Sequence, residues 1–164
     1  NTLGVQMLLD AVRANNIEKM VQVSTDEVYG ALQLDDPSKF SEHTPINPNM
    51  PYAAAKAGGD MMCHAYYVTH KTPVVVTHCS NNYGPYQYPE KLIPFFVYQA
   101  LNDQPLPLYG DGRNVRDWIW VLDHVRALDA GGLSNSKFLE EITVLLIHIN
   151  KTYKSHSGIR ITGI

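Results

Sequence analysis

The chain has 164 residues, of which 45% are hydrophobic and 18% charged, and its formal net charge is -3 with a pI near 6.1. This composition is typical of a globular protein that is long enough for one domain with a core. The acidic balance and the scattered Lys and Arg residues exclude the basic surface that a nucleic-acid-binding protein needs.

The longest apolar stretch, 142–149, is far shorter than the roughly 20 residues that a membrane helix requires, so we predict no membrane span. Cys63 and Cys79 are too few and too widely spaced for a disulfide framework. They predict reduced thiols in a cytoplasmic protein, and we interpret both as small buried apolar side chains.

The first predicted element is an amphipathic helix at the start of the chain. Its apolar residues follow the i, i+3, i+4, i+7 spacing of a buried helical face: Val5, Leu8, Leu9 and Val12. Asn15 and Asn16 end this helix, and residues 20–24 are predicted to form a short buried strand. Because the helix has no lead-in and the chain has no initial Met, we expect its start to be cut from a longer protein.

Prolines divide the next part of the chain. Four of them within residues 31–51 predict a long surface loop, because proline cannot donate a backbone hydrogen bond. A helix is predicted over 52–70, where Pro73 stops it, and a buried strand over 74–78. The elements predicted after that strand are a loop over 81–85, a helix over 91–102, an extended piece over 105–109 and a helix over 122–130.

Strands and helices alternate along the chain, which predicts an α/β fold with a parallel, doubly wound sheet. In such sheets, ligands bind beyond the carboxyl ends of the strands. Two polar segments, 24–30 and 79–85, follow predicted strands and leave from that edge. We therefore expect both segments to line one crevice.

Tyr52 and Lys56 are a candidate acid–base pair on the predicted helix. Residues four apart are neighbours on a helix, so the Lys56 ammonium would lie beside the Tyr52 phenol. A free phenol has a pKa near ~10, and a nearby cation would lower that pKa toward the range where Tyr52 is a useful acid or base. Tyr67 and Lys71 have the same spacing, but Tyr67 lies about 22 Å further along the helix. We interpret Tyr67 as a partly buried aromatic residue at the helix end.

Asp26 and Glu27 are two adjacent carboxyls at the end of a predicted buried strand. Crowding of like charges and partial desolvation at such a place can keep one acid protonated while the other stays ionised. A proton donor beside a proton acceptor is what the elimination of water requires. The sequence therefore favours these two residues as an acid–base pair over a solvated surface pair.

Five segments, taken in order, resemble the dTDP-glucose 4,6-dehydratases, which are extended members of the short-chain dehydrogenase/reductase superfamily. These segments are 24–30 (STDEVYG), 52–56 (YAAAK), 79–85 (CSNNYGP), 89–94 (PEKLIP) and 116–118 (RDW). The resemblance covers roughly residues 1–130, and five motifs in order are far more specific than one. Related nucleotide-sugar decarboxylases and GDP-mannose dehydratases usually carry Ser where this chain has Asp26, and the epimerases generally lack the acid pair.

The resemblance implies an NAD-dependent loss of water from dTDP-glucose, in a partial Rossmann-like parallel sheet with part of a smaller substrate-binding region. Tyr52, held by Lys56, would take the proton of the sugar 4-hydroxyl while hydride passes from C4 to NAD. Glu27 would then remove the C5 proton and Asp26 would protonate the departing C6 hydroxyl, after which hydride returns to C6. Thr25 would position the 4-hydroxyl through a hydrogen bond.

The same resemblance implies further binding residues. Those for the cofactor are Ser24, Tyr52, Lys56 and Asn82. Those for the nucleotide-sugar substrate are Thr25, Asn81, Lys91, Leu92, Pro107, Leu108, Tyr109 and Arg116. Two alternatives stay open: the two asparagines could be loop amides that cap a turn, and Arg116 could be a surface ion-pair partner of Asp117 or Asp111.

The resemblance also implies a homodimer built through the helix that carries Tyr52 and the helix before it, although both helices could equally pack within a monomer. The seven histidines show no metal-ligand spacing with one another or with the cysteines, so we predict no metal site. The partner that remains is a small nucleotide sugar.

Two features depart from the family pattern. The glycine-rich dinucleotide fingerprint is absent, and with it much of the expected cofactor site, so we expect weak or no activity from this chain alone. Residues after 130 stop resembling the family. We therefore expect three parts: residues 1–88 as the carboxyl-terminal part of an NAD-binding domain with the catalytic residues, 89–130 as a nucleotide-sugar-binding region, and 131–164 as a divergent tail.

Two other functions remain as alternatives. One is a related nucleotide-sugar epimerase or decarboxylase, against which Asp26 argues. The other is a catalytically inert fragment that acts as an interaction module, for example through an exposed sheet edge.

Overall fold

The computed structural model describes residues 1–34, 36–133 and 145–146. The helices within them are α1 (Thr2–Ala14), α2 (Pro51–His70), α3 (Leu92–Leu101) and α4 (Val121–Leu133). The strands are β1 (Met20–Thr25), β2 (Val74–Cys79), β3 (Asn81–Tyr83), β4 (Trp118–Trp120) and β5 (Leu145–Leu146). The strands pair in parallel, so the predicted α/β class with a parallel sheet is confirmed.

The larger sheet has the strand order β1-β2-β5. β1 and β2 run in register from Met20 opposite Val74 to Thr25 opposite Cys79. The two strands therefore end at the same edge, and the segments that follow them leave from neighbouring points. Of the expected divergent tail, 131–164, the structure describes the last three residues of α4 and strand β5, which pairs with β2; residues 134–144 and 147–164 lie outside the described residues.

A second, two-stranded sheet corrects the predicted loop over 81–85. The first three residues of that loop form β3, which pairs in parallel with β4, Asn81 opposite Trp118 and Tyr83 opposite Trp120. The rings of Tyr83 and Trp120 meet edge to face, with centroids 5.4 Å apart. Strands of three residues are too short to show a period-2 pattern, so neither β3 nor β4 was predicted from the sequence. This sheet joins the regions expected on either side of residue 88, and that division stays a prediction.

The core of the larger sheet is formed by α1 and α2. Val5 and Leu9 of α1 pack with Cys63 of α2 and with two valines of β2. Leu8 was predicted on the buried face and this is wrong, since it is 57% exposed. At about 100° per residue, Leu8 lies roughly 60° to one side of Val5, and the stripe that α1 buries is too narrow to include it.

Helix α2 begins and ends within one residue of the predicted 52–70. Pro51 occupies the first helical turn, where its missing N–H costs nothing, and Lys71 ends the helix in the left-handed conformation with φ of 55°. Helix α3 over Leu92–Leu101 and helix α4 over Val121–Leu133 confirm the two later helices. The extended piece over 105–109 belongs to neither described sheet.

The loop before α2 folds back on the end of β1. The Asn47 amide donates to the carbonyl of Val28 at 2.9 Å, and Phe40 packs against the cluster of Val28 and Tyr29. Gly30 makes this return possible, because its φ is +88° and a Cβ there would come within 2.5 Å of the Asn47 carbonyl oxygen. The loop thus covers the segment that follows β1.

Candidate functional site

The segment after β1 is a short 3₁₀ helix, Asp26–Tyr29, rather than the predicted loop. Thr25 caps it: its Oγ1 accepts a hydrogen bond from the Glu27 amide at 3.3 Å and lies 3.4 Å from Asp26 Oδ1. This cap fixes the start of the 3₁₀ helix, on which Asp26 is half-buried and Glu27 is exposed. Thr25, Asp26 and Glu27 are therefore presented together at the carboxyl edge of the sheet.

The two carboxyls stand in different environments. Burial is the largest influence on Asp26 and raises the pKa of its carboxyl; the hydrogen bond with Thr25 lowers it, and the charges of Glu27 and Asp117 raise it again. Desolvation disfavours the ionised form of a carboxyl. Asp26 accordingly keeps its proton to a higher pH than an ordinary aspartate, as a proton donor requires.

Tyr52 and Lys56 lie in the first turns of α2, next to the end of β1. The Lys56 ammonium donates to the carbonyl oxygen of Val23 at 2.6 Å. Tyr52 is 53% exposed, so its phenol is open to a ligand. The competing pair lies at the far end of the helix, where Tyr67 packs partly buried against the core, as interpreted from the sequence, and the Lys71 ammonium lies 5.7 Å from its ring centroid.

Cys79 is the last residue of β2, opposite Thr25, at the edge from which the predicted site segments leave. The Asn82 amide donates to its sulfur at 3.5 Å, and the charges of Asp26 and Lys56 both act on the thiol, Asp26 raising its pKa and Lys56 lowering it. Burial is the largest cause of the raised pKa of this thiol. The ends of β1 and β2, from which the two polar segments leave, thus lie next to each other at this edge.

The sequence interpretation of Cys79 as a small buried side chain missed this position. The thiol is only half-buried, whereas Cys63 is fully buried in the core. The signal that could have found it is its place as the last residue of a buried strand, opposite Thr25.

The side chains of Asn81 and Asn82 in β3 form hydrogen bonds within the protein. Asn81 donates to the carbonyl of Asp117 at 3.0 Å. Asn82 donates to the Ser80 carbonyl at 3.2 Å, and its Oδ1 lies 2.7 Å from His124 Nδ1. Burial lowers the pKa of His124, so the ring is neutral near pH 7 and Nδ1–H is the donor to Asn82. The amides join β3 to β4 and α4 beside the site, and their ligand contacts stay predictions.

Ser24 points away from the crevice. Its side chain is buried and its hydroxyl donates to Asp60 Oδ2 at 2.6 Å. The cofactor contact predicted for Ser24 remains untested, and its hydroxyl is already engaged inside the protein.

The residues predicted to bind the nucleotide lie around the start of α3. A cleft of about 240 Å³ brings two of them together, Leu92 and Tyr109, with aromatic and apolar walls from Phe95, Phe96 and Pro89. Lys91 is exposed beside this cleft and pairs with Glu90 at 3.1 Å. Apolar walls with a cation at the rim are a common arrangement at ligand sites.

The remaining three residues of this set lie on the segment between α3 and β4. Leu108 is exposed and Pro107 is half-buried, and neither lines the cleft. Arg116 is exposed and donates to the neighbouring carbonyl of Val115 at 2.8 Å. Among the described residues Arg116 forms no ion pair with Asp117 or Asp111, and Asp111 is paired with Arg113 at 2.6 Å. Its guanidinium is therefore available to an anion.

No described helix is long and apolar enough to cross a membrane. Within residues 1–34, 36–133 and 145–146, no three His, Cys, Asp or Glu side chains are grouped so that they could hold a metal ion.

Comparison with known proteins agrees with this geometry. Residues 1–142 match the family model described as GDP-mannose 4,6 dehydratase. The chain is 53% identical over 128 residues to a dTDP-glucose 4,6-dehydratase of Actinoplanes sp., which covers 78% of this chain and 39% of that protein.

Solved structures give the same picture. A dTDP-glucose 4,6-dehydratase from Bacillus anthracis in complex with NAD is similar with a TM-score of 0.74 and 57% identity, over 77% of this chain and 40% of that chain. A UDP-glucuronic acid 4-epimerase from Bacillus cereus is as similar in fold, with a TM-score of 0.74 over 80% of this chain and 41% of that one, but only 30% identical. The chain spans about 40% of the length of these relatives.

The epimerase shares the fold at a much lower identity, so the dehydratases are the better match in sequence, in keeping with Asp26. From the family model and the shared Rossmann-like fold, we conclude that this chain belongs to the GDP-mannose 4,6 dehydratase family and, within it, is similar to the dTDP-glucose 4,6-dehydratases.

Proposed function

We propose that this chain carries the reacting part of a dTDP-glucose 4,6-dehydratase site, which converts dTDP-glucose to dTDP-4-keto-6-deoxyglucose with loss of water. The observation that carries the proposal is the shared end of β1 and β2, where Thr25 lies opposite Cys79. Asp26 and Glu27 follow β1 there, Asn82 donates to the Cys79 sulfur, and Lys56 is bonded to the Val23 carbonyl. Solved dehydratases similar to this chain support the same substrate class and the use of NAD.

The chain's own donors fit one end of the cofactor. Lys56 uses one of its three N–H groups on the Val23 carbonyl and has two left, and Tyr52 is open to solvent close by. These two residues would hold the nicotinamide end, with Asn82 nearby. NAD, when bound, would accept hydride from C4 of the sugar and return it to C6. A glycine-rich turn for the pyrophosphate is not among the 164 residues.

The acid and base steps fall to three side chains. Tyr52, one helical turn before Lys56 on α2, would accept the proton of the 4-hydroxyl. Glu27 is exposed and would accept the proton from C5, which the C4 ketone makes acidic, and would return a proton to C5 when hydride reaches C6. Asp26, whose pKa is raised by burial, would give its proton to the leaving C6 hydroxyl. Thr25, fixed as the cap of the 3₁₀ helix, would position the sugar.

The nucleotide would lie toward α3. Leu92 and Tyr109 would contact it from the cleft of about 240 Å³, and the unpaired guanidinium of Arg116 would contact its phosphates. Lys91, Pro107, Leu108 and Asn81 complete the proposed contacts.

The test uses a chimeric protein, which we call the graft. Residues 1–130 of this chain would replace the matching region of the Actinoplanes dehydratase, which supplies the rest of the site. With dTDP-glucose and NAD, we expect the graft to form the 4-keto-6-deoxy product. A graft that folds and binds NAD but does not turn over would contradict the proposal. A changed C4 configuration, or carbon dioxide from a uronic acid analogue, would favour an epimerase or decarboxylase instead.

The chain by itself should bind NAD weakly, because the backbone turn that approaches the pyrophosphate is missing from it. Tight, stoichiometric binding in calorimetry would contradict this expectation. An interaction module remains the alternative if the graft is inert, since β1 is an edge strand of the described sheet.

The proposal includes a homodimer through α1 and α2. Five large apolar side chains of these helices are at least half exposed: Leu3, Met7, Leu8, Met61 and Val68. An exposed apolar face of this kind is typical of a protein interface. A cytoplasmic location is also proposed, and the two free thiols, Cys63 and Cys79, support it.

A further inference from the structure

Four polar side chains below the site are joined in one buried chain of hydrogen bonds. Each is at most 4% exposed: Ser24 of β1, Tyr29 of the 3₁₀ helix, Asp60 of α2 and His78 of β2. Burying four polar groups is unfavourable unless they satisfy one another. Apart from Ser24, the motifs that point to the reaction include none of them as a site residue.

The direction of each hydrogen bond follows from its partners. Ser24 Oγ and His78 Nε2 lie 2.6 and 3.0 Å from the same oxygen of Asp60, Oδ2. With Asp60 as the carboxylate and His78 as the neutral ring, Nε2–H donates to Oδ2 and Nδ1 is the acceptor. Tyr29 then donates its hydroxyl proton to His78 Nδ1 across 2.7 Å. Burial raises the pKa of Tyr29, which keeps this donor protonated.

The register of the fold places these bonds at the junction of the proposed site. Ser24 and His78 are direct partners in the β1–β2 ladder, and both reach Asp60. Asp60 lies four residues after Lys56 on α2, on the same helix face. Lys56 is bonded to the carbonyl of Val23, the residue before Ser24. Helix α2 is therefore hydrogen-bonded to two consecutive residues of β1, Val23 and Ser24.

The other end of the network holds the acids. Tyr29 is the last residue of the 3₁₀ helix on which Asp26 and Glu27 stand. Its hydroxyl is the polar anchor of that helix to β2, and its ring packs against Phe40 with centroids 5.4 Å apart. The network thus connects the face of α2 that carries Tyr52 and Lys56 with the element that carries the carboxyls.

We propose that Ser24, Tyr29, Asp60 and His78 are positioning residues that hold the acid-bearing 3₁₀ helix in register with the Tyr52 face of α2. The inference rests on the proposed function, in which Tyr52 acts at C4 of the sugar and the carboxyls act at C5 and C6. Displacing one set by about 1 Å against the other can cost about a hundredfold in rate. None of the four residues touches a reacting atom in this arrangement.

The first experiment uses the chain itself and needs no turnover. Tyr29→Phe removes one hydroxyl and leaves the ring in place; Tyr66→Phe is the matched control, because it removes a hydroxyl that donates to Asp10 at 2.7 Å elsewhere on α2. Hydrogen exchange is followed at the Gly30 amide, which donates to the Glu27 carbonyl at 3.1 Å.

We expect Tyr29→Phe to speed exchange at Gly30 by tenfold or more relative to the amides of β2, and Tyr66→Phe to leave that ratio unchanged. Equal ratios in all three proteins would overturn the proposal. In the unmodified chain, the ¹⁵N spectrum should show His78 with a proton on Nε2 and none on Nδ1; the opposite tautomer would also overturn it.

The second experiment measures rates in the Actinoplanes graft. Tyr29→Phe and His78→Gln should each lower kcat about tenfold to a hundredfold while KM changes less than about twofold, since the groups that bind substrate are untouched. Because the residues act as one unit, the double variant should be no slower than the slower single variant. Unchanged kcat, or effects that multiply, would overturn the inference.

The two experiments separate the two proposals. A graft with no turnover before any substitution counts against the proposed function alone, and the exchange ratio at Gly30 then decides the positioning role.

Discussion

Thr25 and Cys79 lie opposite each other at the last step of the parallel ladder between β1 and β2. The acid-bearing 3₁₀ helix follows Thr25 directly, and Asn82 reaches back to the Cys79 sulfur. The proposed chemistry is thus assembled by the ends of two adjacent strands, with α2 supplying Tyr52 and Lys56 from one side.

Asp26→Asn should lower the rate of water loss in the graft by about 10²–10⁴, the usual contribution of a general acid. The raised pKa of Asp26 means that the donor is protonated below that pKa and lost above it, so the rate should fall on the alkaline side in the parent graft. The Asp26→Asn variant should not show this decrease in rate at alkaline pH. Asp103→Asn is the control, since Asn tolerates the left-handed backbone there, with φ of 53°. An unchanged rate for Asp26→Asn would remove it from the mechanism.

Tyr52→Phe should lower kcat of the graft by about 10²–10⁴, because the phenol is the proposed acceptor of the 4-hydroxyl proton. Tyr67→Phe is the matched control, with the same spacing to a lysine but a place at the far end of α2, and should change kcat less than about twofold. Steady-state assays of both variants are sufficient. Equal losses would point to a general packing effect.

His124 should make the stability of the chain depend on pH. Burial lowers its pKa below the ordinary value of 6.5, so the unfolded chain binds the proton more readily than the folded chain. The free energy of unfolding should therefore decrease as the pH falls from about 6.5 toward the lower pKa of the folded state, and His124 should contribute no slope above that range.

Urea unfolding between pH 5 and 7.5 measures that slope, and His124→Asn should reduce it. The exposed His64 serves as the control position through His64→Asn. If the slope persists in His124→Asn, the pH dependence arises elsewhere.

Gly30→Ala should destabilise the chain by about 1–3 kcal/mol more than Gly110→Ala, the usual cost of overpacking. Both glycines have positive φ, +88° and +62°, a backbone conformation that costs an alanine about 1–3 kcal/mol. Only at Gly30 would the new Cβ also press against the Asn47 carbonyl, at 2.5 Å, whereas nothing lies within 4 Å at Gly110. Denaturant midpoints of the two variants test the difference. Similar values would show that the loop carrying Asn47 moves to accommodate the new Cβ.

The longer elements could be predicted from the sequence because their signals are local. Pro51 and Pro73 bracket α2, and its predicted bounds differ from the observed ones by a single residue. The run of valines in β2 is equally direct. Asp26, Lys56 and Asn82 could be expected at one edge because parallel strands end together.

The rest depends on contacts that no spacing encodes. Asp60 and His78 meet only because α2 lies over β1 and β2 in one particular register, so neither residue shows a motif. The cofactor contact of Ser24 stays a prediction, and no spacing in the sequence indicates that its hydroxyl donates to Asp60. Strands β3 and β4 are stabilised by pairing with each other across 34 intervening residues, a distance over which sequence periodicity carries no information.

The unequal burial of the two cysteines gives the site a built-in chemical handle. Cys63 has no accessible surface and burial raises its pKa to about 12, so an alkylating reagent should react first with the half-buried Cys79. A small fluorinated label on that sulfur would lie beside Asn82 at the shared end of β1 and β2, and its resonance would report ligand entry without any engineered residue.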